Sequence, residues 1–372
     1  MILNNNKKIG VLTSSRADYG IYKSLISKIK NDARFKLTII VFGMHIKKKY
    51  GNTVDLIKKD NYERIDIVKG MPEKDTPQAI SKGYGDLIKY FSIYWDANKF
   101  DVVLCLGDRF EMSAAVQAGI PFNINFAHFH GGEITLGAID NIYRHQISLC
   151  SSIHFTAHKV FYEKLVSIMG NNKNIYNFGS LSIENIEDSN ISNWDDVRNQ
   201  FKIPNKEFIL VTFHPETTNI NRNNKFCKII YNVLERISKE IHIVVTLSNA
   251  DTMNSIYKKT MYKLNKLFPD HFTLVDNFGK ENYFSAINKS KFLIGNTSSG
   301  ILEAASFNKY VLNIGQRQKG RFKGDNVYDV PFNEKLIYEK YLYISKLGIY
   351  KKKNIFYKKN TSDNIIEVLA SV

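Results

Sequence analysis

Cysteine is scarce, with only Cys105, Cys150 and Cys227 among 372 residues. None stands in CxxC spacing, so neither a metal site nor a disulfide framework is indicated, and buried reduced thiols are expected. An uninterrupted apolar run of the roughly 20 residues that cross a bilayer is also missing. The opening MILNNNKKIGVLTSS leads into a predicted strand rather than a secretory leader. Together these absences point to a cytoplasmic protein with no membrane partner. Acidic residues are few relative to basic ones, 36 Asp and Glu against 52 Lys and Arg, a net charge of +16. The lysines are scattered rather than gathered into an arm, and no nucleic-acid-binding motif accompanies them. A basic surface that attracts small anions is therefore expected, and no nucleic-acid partner. No internal repeat, low-complexity stretch, Walker spacing or GxGxxG stands out, so neither ATP hydrolysis nor a tightly held dinucleotide is favoured.

What is present is alternation. Apolar runs at 8–13, 37–42, 62–68, 102–106, 122–126, 153–156 and 175–178 read as strands, with helical spacing at 19–29, 54–59, 112–118 and 158–169. Thr76, before Pro77, is placed to cap a long helix reaching about residue 98. The run VVLCL at 102–106 is continuously apolar, as in a strand buried on both faces. A polar stretch at 184–199 interrupts the pattern and marks a boundary. Beyond it the series restarts, with strands predicted at 208–213, 242–247, 272–275, 292–294 and 311–313. The lysine-rich 335–359 reads as solvated surface, and 363–370 as a last helix. Two such series in a chain too long for one core predict two doubly wound, Rossmann-like α/β domains facing each other across a central cleft. Their expected extents are 1–183 and 184–360, with a C-terminal helix at 361–372 rejoining the first.

Charged and small polar residues concentrate where these strands end, which is where parallel sheets bind ligands. The densest case is HFHGGEITLGAIDNIYRH, 128–145, in which Gly131 and Gly132 allow a sharp turn or close approach to a ligand. In its helix Asp140 and Arg144 share a face, as do Asn141 and His145, a spacing that an ordinary surface ion pair would also produce. The loop SSRADYG offers Arg16 and Asp18, either to clasp a phosphate or simply to pair and cap. In GDRFE, Asp108 lies beside Arg109, and a carboxylate near an arginine is expected to stay ionised; the plainer alternative is a capping Asp with a solvated Arg. GNTSSGILEA, 295–304, is a strand end, a hydroxyl-rich loop and a helix start, with Glu303 about one turn in. Such amides and hydroxyls suit a diphosphate, and the carboxylate suits two ribose hydroxyls, although Ser and Thr there are also ordinary caps. VTFHPET supplies His214 and GQRQKGR a cluster of cations.

In this order, SSRADYG, GDRFE, HGGE with AIDNIYRH, VTFHPET, GNTSSGILEA and GQRQ make the chain resemble the hydrolysing UDP-N-acetylglucosamine 2-epimerases of sialic-acid-type sugar biosynthesis, over nearly its full length. The resemblance implies a GT-B architecture and a reaction in which the nucleoside diphosphate leaves by elimination across C1 and C2 of the sugar. Water then adds to the glycal with inversion at C2, releasing a free 2-acetamido sugar of manno configuration. It implies no metal or redox cofactor, and a homo-oligomer, dimer or tetramer. By motif, Arg16, Arg109, His214, Asn249, Thr297, Ser298, Glu303 and Arg317 would bind the nucleotide, with Glu303 on the ribose. Asp108, Glu133 and Asp140 would be the acid and base candidates, with His145 nearby. His130 stands where the non-hydrolysing relatives carry a glutamate, so either it or Glu133 takes that role. A UDP- or GDP-linked 2-acetamido sugar is the expected partner, and a UDP- or GDP-linked diacetamido-trideoxy sugar on the way to legionaminic acid is as compatible as UDP-N-acetylglucosamine. The alternatives are a GT-B glycosyltransferase, a non-catalytic sugar-nucleotide-binding module and a non-hydrolysing epimerase.

Overall fold

Two parallel sheets, each covered by helices, account for the alternation. The computed structural model describes residues 6–47, 53–74, 76–184, 186, 191–218, 220–247 and 253–372. The chain divides into two compact units: Met1–Glu133, Asp140–Glu184 and Phe356–Val372 form one, Ile134–Ile139 and Asn185–Ile355 the other.

In the first unit the strands are β1 (Lys7–Thr13), β2 (Phe35–Val41), β3 (Ile65–Ile67), β4 (Val102–Leu106), β5 (Phe126–Phe129), β6 (Ile153–Thr156) and β7 (Ile175–Asn177). Their order across the sheet is β3-β2-β1-β4-β5-β6-β7, every pairing parallel. The helices are α1 (Arg16–Asn31), α2 (Val54–Lys59), α3 (Pro77–Ala97), α4 (Phe110–Gly119), α5 (Asp140–Leu149) and α6 (Lys159–Met169). The direction of winding reverses between β1 and β4, and the loops after those strands border the crevice that such a reversal opens. Val102, Val103, Leu104 and Cys105 are fully buried, as the unbroken apolar run requires. Thr76 caps α3 as its position before Pro77 predicts, accepting the Ala79 amide at 3.3 Å.

The second unit repeats the plan with α7 (Trp194–Gln200), β8 (Phe208–Thr212), α8 (Asn223–Ser238), β9 (His242–Thr246), α9 (Asn254–Leu267), β10 (Phe272–Val275), α10 (Lys280–Lys289), β11 (Leu293–Gly295), α11 (Ser298–Leu302), β12 (Val311–Ile314), β13 (Val327–Val330) and α12 (Glu334–Ile344). Its sheet order is β10-β9-β8-β11-β12-β13, again all parallel, with the reversal between β8 and β11.

The terminal helix α13 (Thr361–Ser371) packs Ile365, Ile366 and Leu369 into the core of the first unit. Its start is pinned by the buried Glu184, whose Oε1 accepts the Ser362 amide at 2.6 Å and its hydroxyl at 2.9 Å. A carboxylate suits the free amides of a helix N-terminus.

Three expectations need correction. Residues 122–126 are not one strand: Pro121 sits in a short 3-10 turn, Ile120–Phe122, closed by left-handed Asn123, and β5 begins only at Phe126. His128 therefore lies within the strand and His130 just beyond it. The lysine-rich 335–359 is not mere solvated surface, because Ile337, Tyr341 and Ile344 recur at helical spacing on α12 and are buried in the second core, the lysines lying on other faces. Edge strand β13 has no counterpart in the sequence reading; its four residues, VYDV, carry too little apolar pattern to register. Cys105 and Cys227 are buried, Cys150 is half-buried, and all three are free. No helix among the described residues is long and apolar enough to cross a membrane.

Replacing the fully buried Leu369 by alanine should remove about 2–5 kcal/mol from the first unit. Urea denaturation followed by circular dichroism checks this; an unshifted midpoint would mean that the terminal helix is not part of that core.

Candidate functional site

On the first unit, the loops after β1, β4 and β5 lie at the sheet's carboxyl edge. After β1, Ser15 and Asp18 form a capping box at the start of α1. Asp18 is buried and accepts from Thr13 Oγ1 at 2.6 Å, from the Ser14 amide and hydroxyl at 2.9 Å each, and from the Ser15 amide at 3.1 Å. Burial pushes its carboxyl up, but the nearby His45 and the bonds from Thr13 and Ser14 outweigh burial and hold it below the usual range. Asp18 thus organises the loop, and leaves Arg16 exposed at the first residue of the helix.

After β4, Asp108 and Arg109 each take a partner further along the chain. Arg109, the N-cap of α4, turns its Nε to Glu111 Oε1 at 2.6 Å, and Glu111 is fully buried in the first helical turn. Asp108 is ion-paired with Arg144 Nη2 from α5. Arg144 is 1 % exposed, so it is a buried guanidinium serving the β4 loop rather than one at the surface. Its Nη1 donates to the Glu133 carbonyl at 3.0 Å. Burying a guanidinium demands such partners, because an uncompensated charge inside a protein is costly.

At the end of β5 stand the two histidines, His128 within the strand and His130 just beyond it. His128 is fully buried, with Nε2 donating to the Gly107 carbonyl at 2.9 Å and Nδ1 accepting from Ser148 Oγ at 3.0 Å. It is a neutral crosspiece that joins β5 to the loop after β4 and to α5. His130 takes a left-handed backbone, φ +64°, and brings Nδ1 to 2.6 Å from Glu133 Oε1. Glu133 is fully buried while His130 keeps 8 % of its surface exposed. The two glycines between them serve packing against protein. A Cβ on Gly132, φ +78°, would lie 2.2 Å from the Phe161 carbonyl of α6, and one on Gly131 would lie 3.0 Å from His128 Nδ1.

Asp140 opens α5 half-buried. His145 is turned about 100° around the helix from Arg144. Its imidazole is pushed down by burial and by the charges of Arg144 and Lys164, the latter on α6.

On the second unit, three loops meet at the β8/β11 reversal. Asn296, fully buried, accepts the His214 amide at 2.7 Å and donates to the His214 carbonyl at 2.9 Å. Its own carbonyl accepts from Arg317 Nη1 at 3.3 Å and Gln318 Nε2 at 2.8 Å. One amide residue therefore bolts the loops after β8, β11 and β12 together. Gly295 makes this possible, since a Cβ there would sit 1.8 Å from the Thr212 carbonyl. Thr297 caps α11, accepting the Ser299 amide at 3.4 Å, and Ser298 is its first residue. Glu303 ends that helix as its C-cap, held by Ser299 Oγ at 2.6 Å, with Tyr283 beside it. The buried Glu216 accepts the Gln316 amide. Asn249, expected at this edge, lies outside the described residues.

The segment Ile134–Ile139 between Glu133 and Asp140 packs with this second unit. Leu136 donates its amide to the Lys319 carbonyl at 2.9 Å, and Thr218 Oγ1 donates to the Gly137 carbonyl at 3.1 Å. A Cβ on Gly137 would come within 1.6 Å of the Gln316 carbonyl.

Sequence reasoning missed Arg144 as a site residue, and missed Asn296, Glu216, Glu111 and Tyr283. The available signal was the position of Asn296 and Glu216 inside the loop motifs themselves; nothing in the sequence marked Arg144 as buried. Among the described residues no group of three or more His, Cys, Asp or Glu side chains is arranged to hold a metal ion.

Comparison with known proteins bears on this arrangement. The family described as UDP-N-acetylglucosamine 2-epimerase matches residues 27–370. The chain is 31 % identical, over 89 % of its length and 86 % of the relative's, to the GDP/UDP-N,N'-diacetylbacillosamine 2-epimerase (hydrolyzing) of Campylobacter jejuni. It is 29 % identical to the polysialic acid biosynthesis protein P7 of Escherichia coli, over 98 % of this chain and 93 % of that one. In structure it is similar to the UDP-GlcNAc 2-epimerase from Neisseria meningitidis, solved bound to UDP-GlcNAc, with a TM-score of 0.78 at 17 % identity over 98 % and 100 % of the two chains. The fold is thus GT-B-like, built of two parallel-sheet α/β units.

The buried His128 generates a pH prediction. Burial pushes its imidazole down to about 3 from an ordinary 6.5, so below pH 6.5 the unfolded chain binds a proton that the folded one refuses. Stability is then whole above pH 6.5 and falls as pH drops toward 3, by about 1.4 kcal/mol per pH unit for this group. His154, pushed down to about 4 by burial, acts in the same direction. Urea unfolding at pH 7.5, 5.5 and 4.5 should show this decline, and a His128→Gln variant a shallower one; equal slopes would contradict it.

Proposed function

We propose that this chain, which belongs to the UDP-N-acetylglucosamine 2-epimerase family and is an enzyme of its hydrolysing type, converts a UDP- or GDP-linked 2-acetamido sugar to the free manno-configured sugar and nucleoside diphosphate. UDP-GlcNAc and a UDP- or GDP-linked N,N'-diacetylbacillosamine are the substrates considered, and sialic or legionaminic acid biosynthesis the setting. The relative from Campylobacter jejuni supports the diacetamido sugar, and the protein from Escherichia coli the sialic-acid setting.

The observation that carries the reading is the set of groups at the carboxyl edge of the first sheet: a His130–Glu133 pair and an Asp108–Arg144 pair joined through one buried guanidinium. Elimination across C1 and C2 needs a base for the C2 proton and assistance to the departing diphosphate, and grouped ionisable side chains supply such chemistry. The second unit carries groups suited to the leaving group. Amides and hydroxyls of Thr297 and Ser298 and the Arg317 guanidinium suit a diphosphate, and Glu303 suits ribose hydroxyls. Arg16, Arg109 and His214 complete the proposed nucleotide contacts, Asp140 and His145 remain acid–base candidates, and the net charge of +16 draws an anionic substrate toward the surface. A homo-oligomer, dimer or tetramer, is proposed as the working assembly.

Incubation with UDP-GlcNAc, its diacetamido analogue and the GDP forms in deuterated water, followed by proton and phosphorus NMR, tests the reading. Free nucleoside diphosphate and a free sugar deuterated at C2 are expected from one of them. An epimerised sugar still linked to its nucleotide, or no nucleotide released without an added acceptor, would overturn it. Glu303→Gln should weaken nucleotide affinity by roughly 10- to 100-fold, the worth of a hydrogen bond to a charged group, measurable by calorimetry with UDP.

A further inference from the structure

We propose that the base removing the C2 proton is His130, acting through Nε2, and that Glu133 is a positioning residue which orients that imidazole rather than an independent acid or base. The assignment rests on the hydrolysing elimination proposed above and distributes the roles within it.

Burial and hydrogen bonding decide between the two side chains. Glu133 is fully buried and offers no surface to a sugar ring, whereas the His130 side chain keeps 9 % of its surface exposed. Glu133 Oε1 lies 2.6 Å from His130 Nδ1. A carboxylate accepts, so Nδ1 donates, and the neutral imidazole is left with its lone pair on Nε2. A carboxylate behind a histidine in this way selects the tautomer and stabilises the imidazolium that forms when the proton arrives. His128, two residues earlier, lacks this freedom, since Ser148 and Gly107 occupy both of its nitrogens.

The backbone is arranged to the same end. His130 holds a left-handed conformation uncommon for a residue with a side chain, secured by its amide on the Phe155 carbonyl at 3.2 Å. Glu133 is held from behind by Arg144 Nη1 on its carbonyl, and the same guanidinium is ion-paired with Asp108. Asp108 is committed to that cation, so it is less suited than the imidazole to accept a carbon-bound proton.

In the step itself, Nε2 takes the C2 hydrogen as a proton. The C2–H electron pair becomes the C1=C2 bond while the C1–O bond breaks, its pair leaving on the nucleoside diphosphate. Water then adds across the double bond, hydroxyl to C1 and a proton to C2 from the opposite face. No electron is gained or lost overall.

The test uses the full-length enzyme with whichever sugar nucleotide it turns over. His130→Ala should lower kcat about 10²- to 10⁴-fold with KM changed less than about threefold, and added imidazole should restore nucleotide release in proportion to its concentration. Glu133→Gln should lower kcat at least about 10²-fold with little change in KM, and the double variant should be no slower than His130→Ala alone. UDP affinity by calorimetry establishes that each variant is folded, and if Glu133→Gln is not, the imidazole rescue of His130→Ala decides alone. Wild-type turnover by His130→Ala, absence of rescue, or losses that multiply in the double variant would each overturn the assignment while leaving the hydrolysing reading intact. Failure of the wild-type protein to release nucleoside diphosphate from any of these sugars would instead defeat the reading itself.

Discussion

The Arg144 guanidinium, 1 % exposed in the first unit, is the constraint on which the geometry of that sheet edge depends. A charge in that position is tolerable only with partners on hand, and the partners it takes come from two separate strand ends. Asp108 is drawn from the loop after β4, and the Glu133 carbonyl from the loop after β5. The same cation therefore sets both the carboxylate and the backbone that carries the His130–Glu133 pair. Neutral His128 fastens these loops a second time, through Gly107. Little is left for a substrate to organise, which is the condition for efficient electrostatic and acid–base chemistry.

In the second unit the loops converge instead on an uncharged side chain. Asn296 uses its side-chain amide on the backbone of His214 and its carbonyl on Arg317 and Gln318, so three strand ends converge on a neutral group. Glu216 adds a fastening to the Gln316 amide. The contrast fits the division of labour proposed for the units: cations and amides are left for an anionic leaving group in one, while carboxylates and imidazoles handle protons in the other. The Ile134–Ile139 segment belongs to the second unit and hydrogen bonds to its β8 and β12 loops.

Much of the fold was legible because parallel strands buried on both faces must be continuously apolar, and 102–106 and 208–213 announce themselves that way. Legibility failed where burial depends on neighbours distant in sequence. The 122–126 stretch reads as one apolar strand, yet Pro121 and left-handed Asn123 delay the strand to Phe126. The lysines of 335–359 hid an apolar stripe whose partners lie on β12, β13 and α8. At the site, loop motifs identified the residues but not their pairings. Arg109 adjoins Asp108 in sequence and binds Glu111, while Asp108 takes Arg144, 36 positions away.

The chain's own order of residues determined its class, two series of strand and helix with polar loops at the strand ends, because periodicity and strand-end chemistry are local properties. Which carboxylate meets which cation, which histidine is sealed into the core and which keeps an edge at the surface were decided only by tertiary structure. Those outcomes depend on removing charges from water, and the free energy of doing so is set by whatever the fold brings within hydrogen-bonding distance.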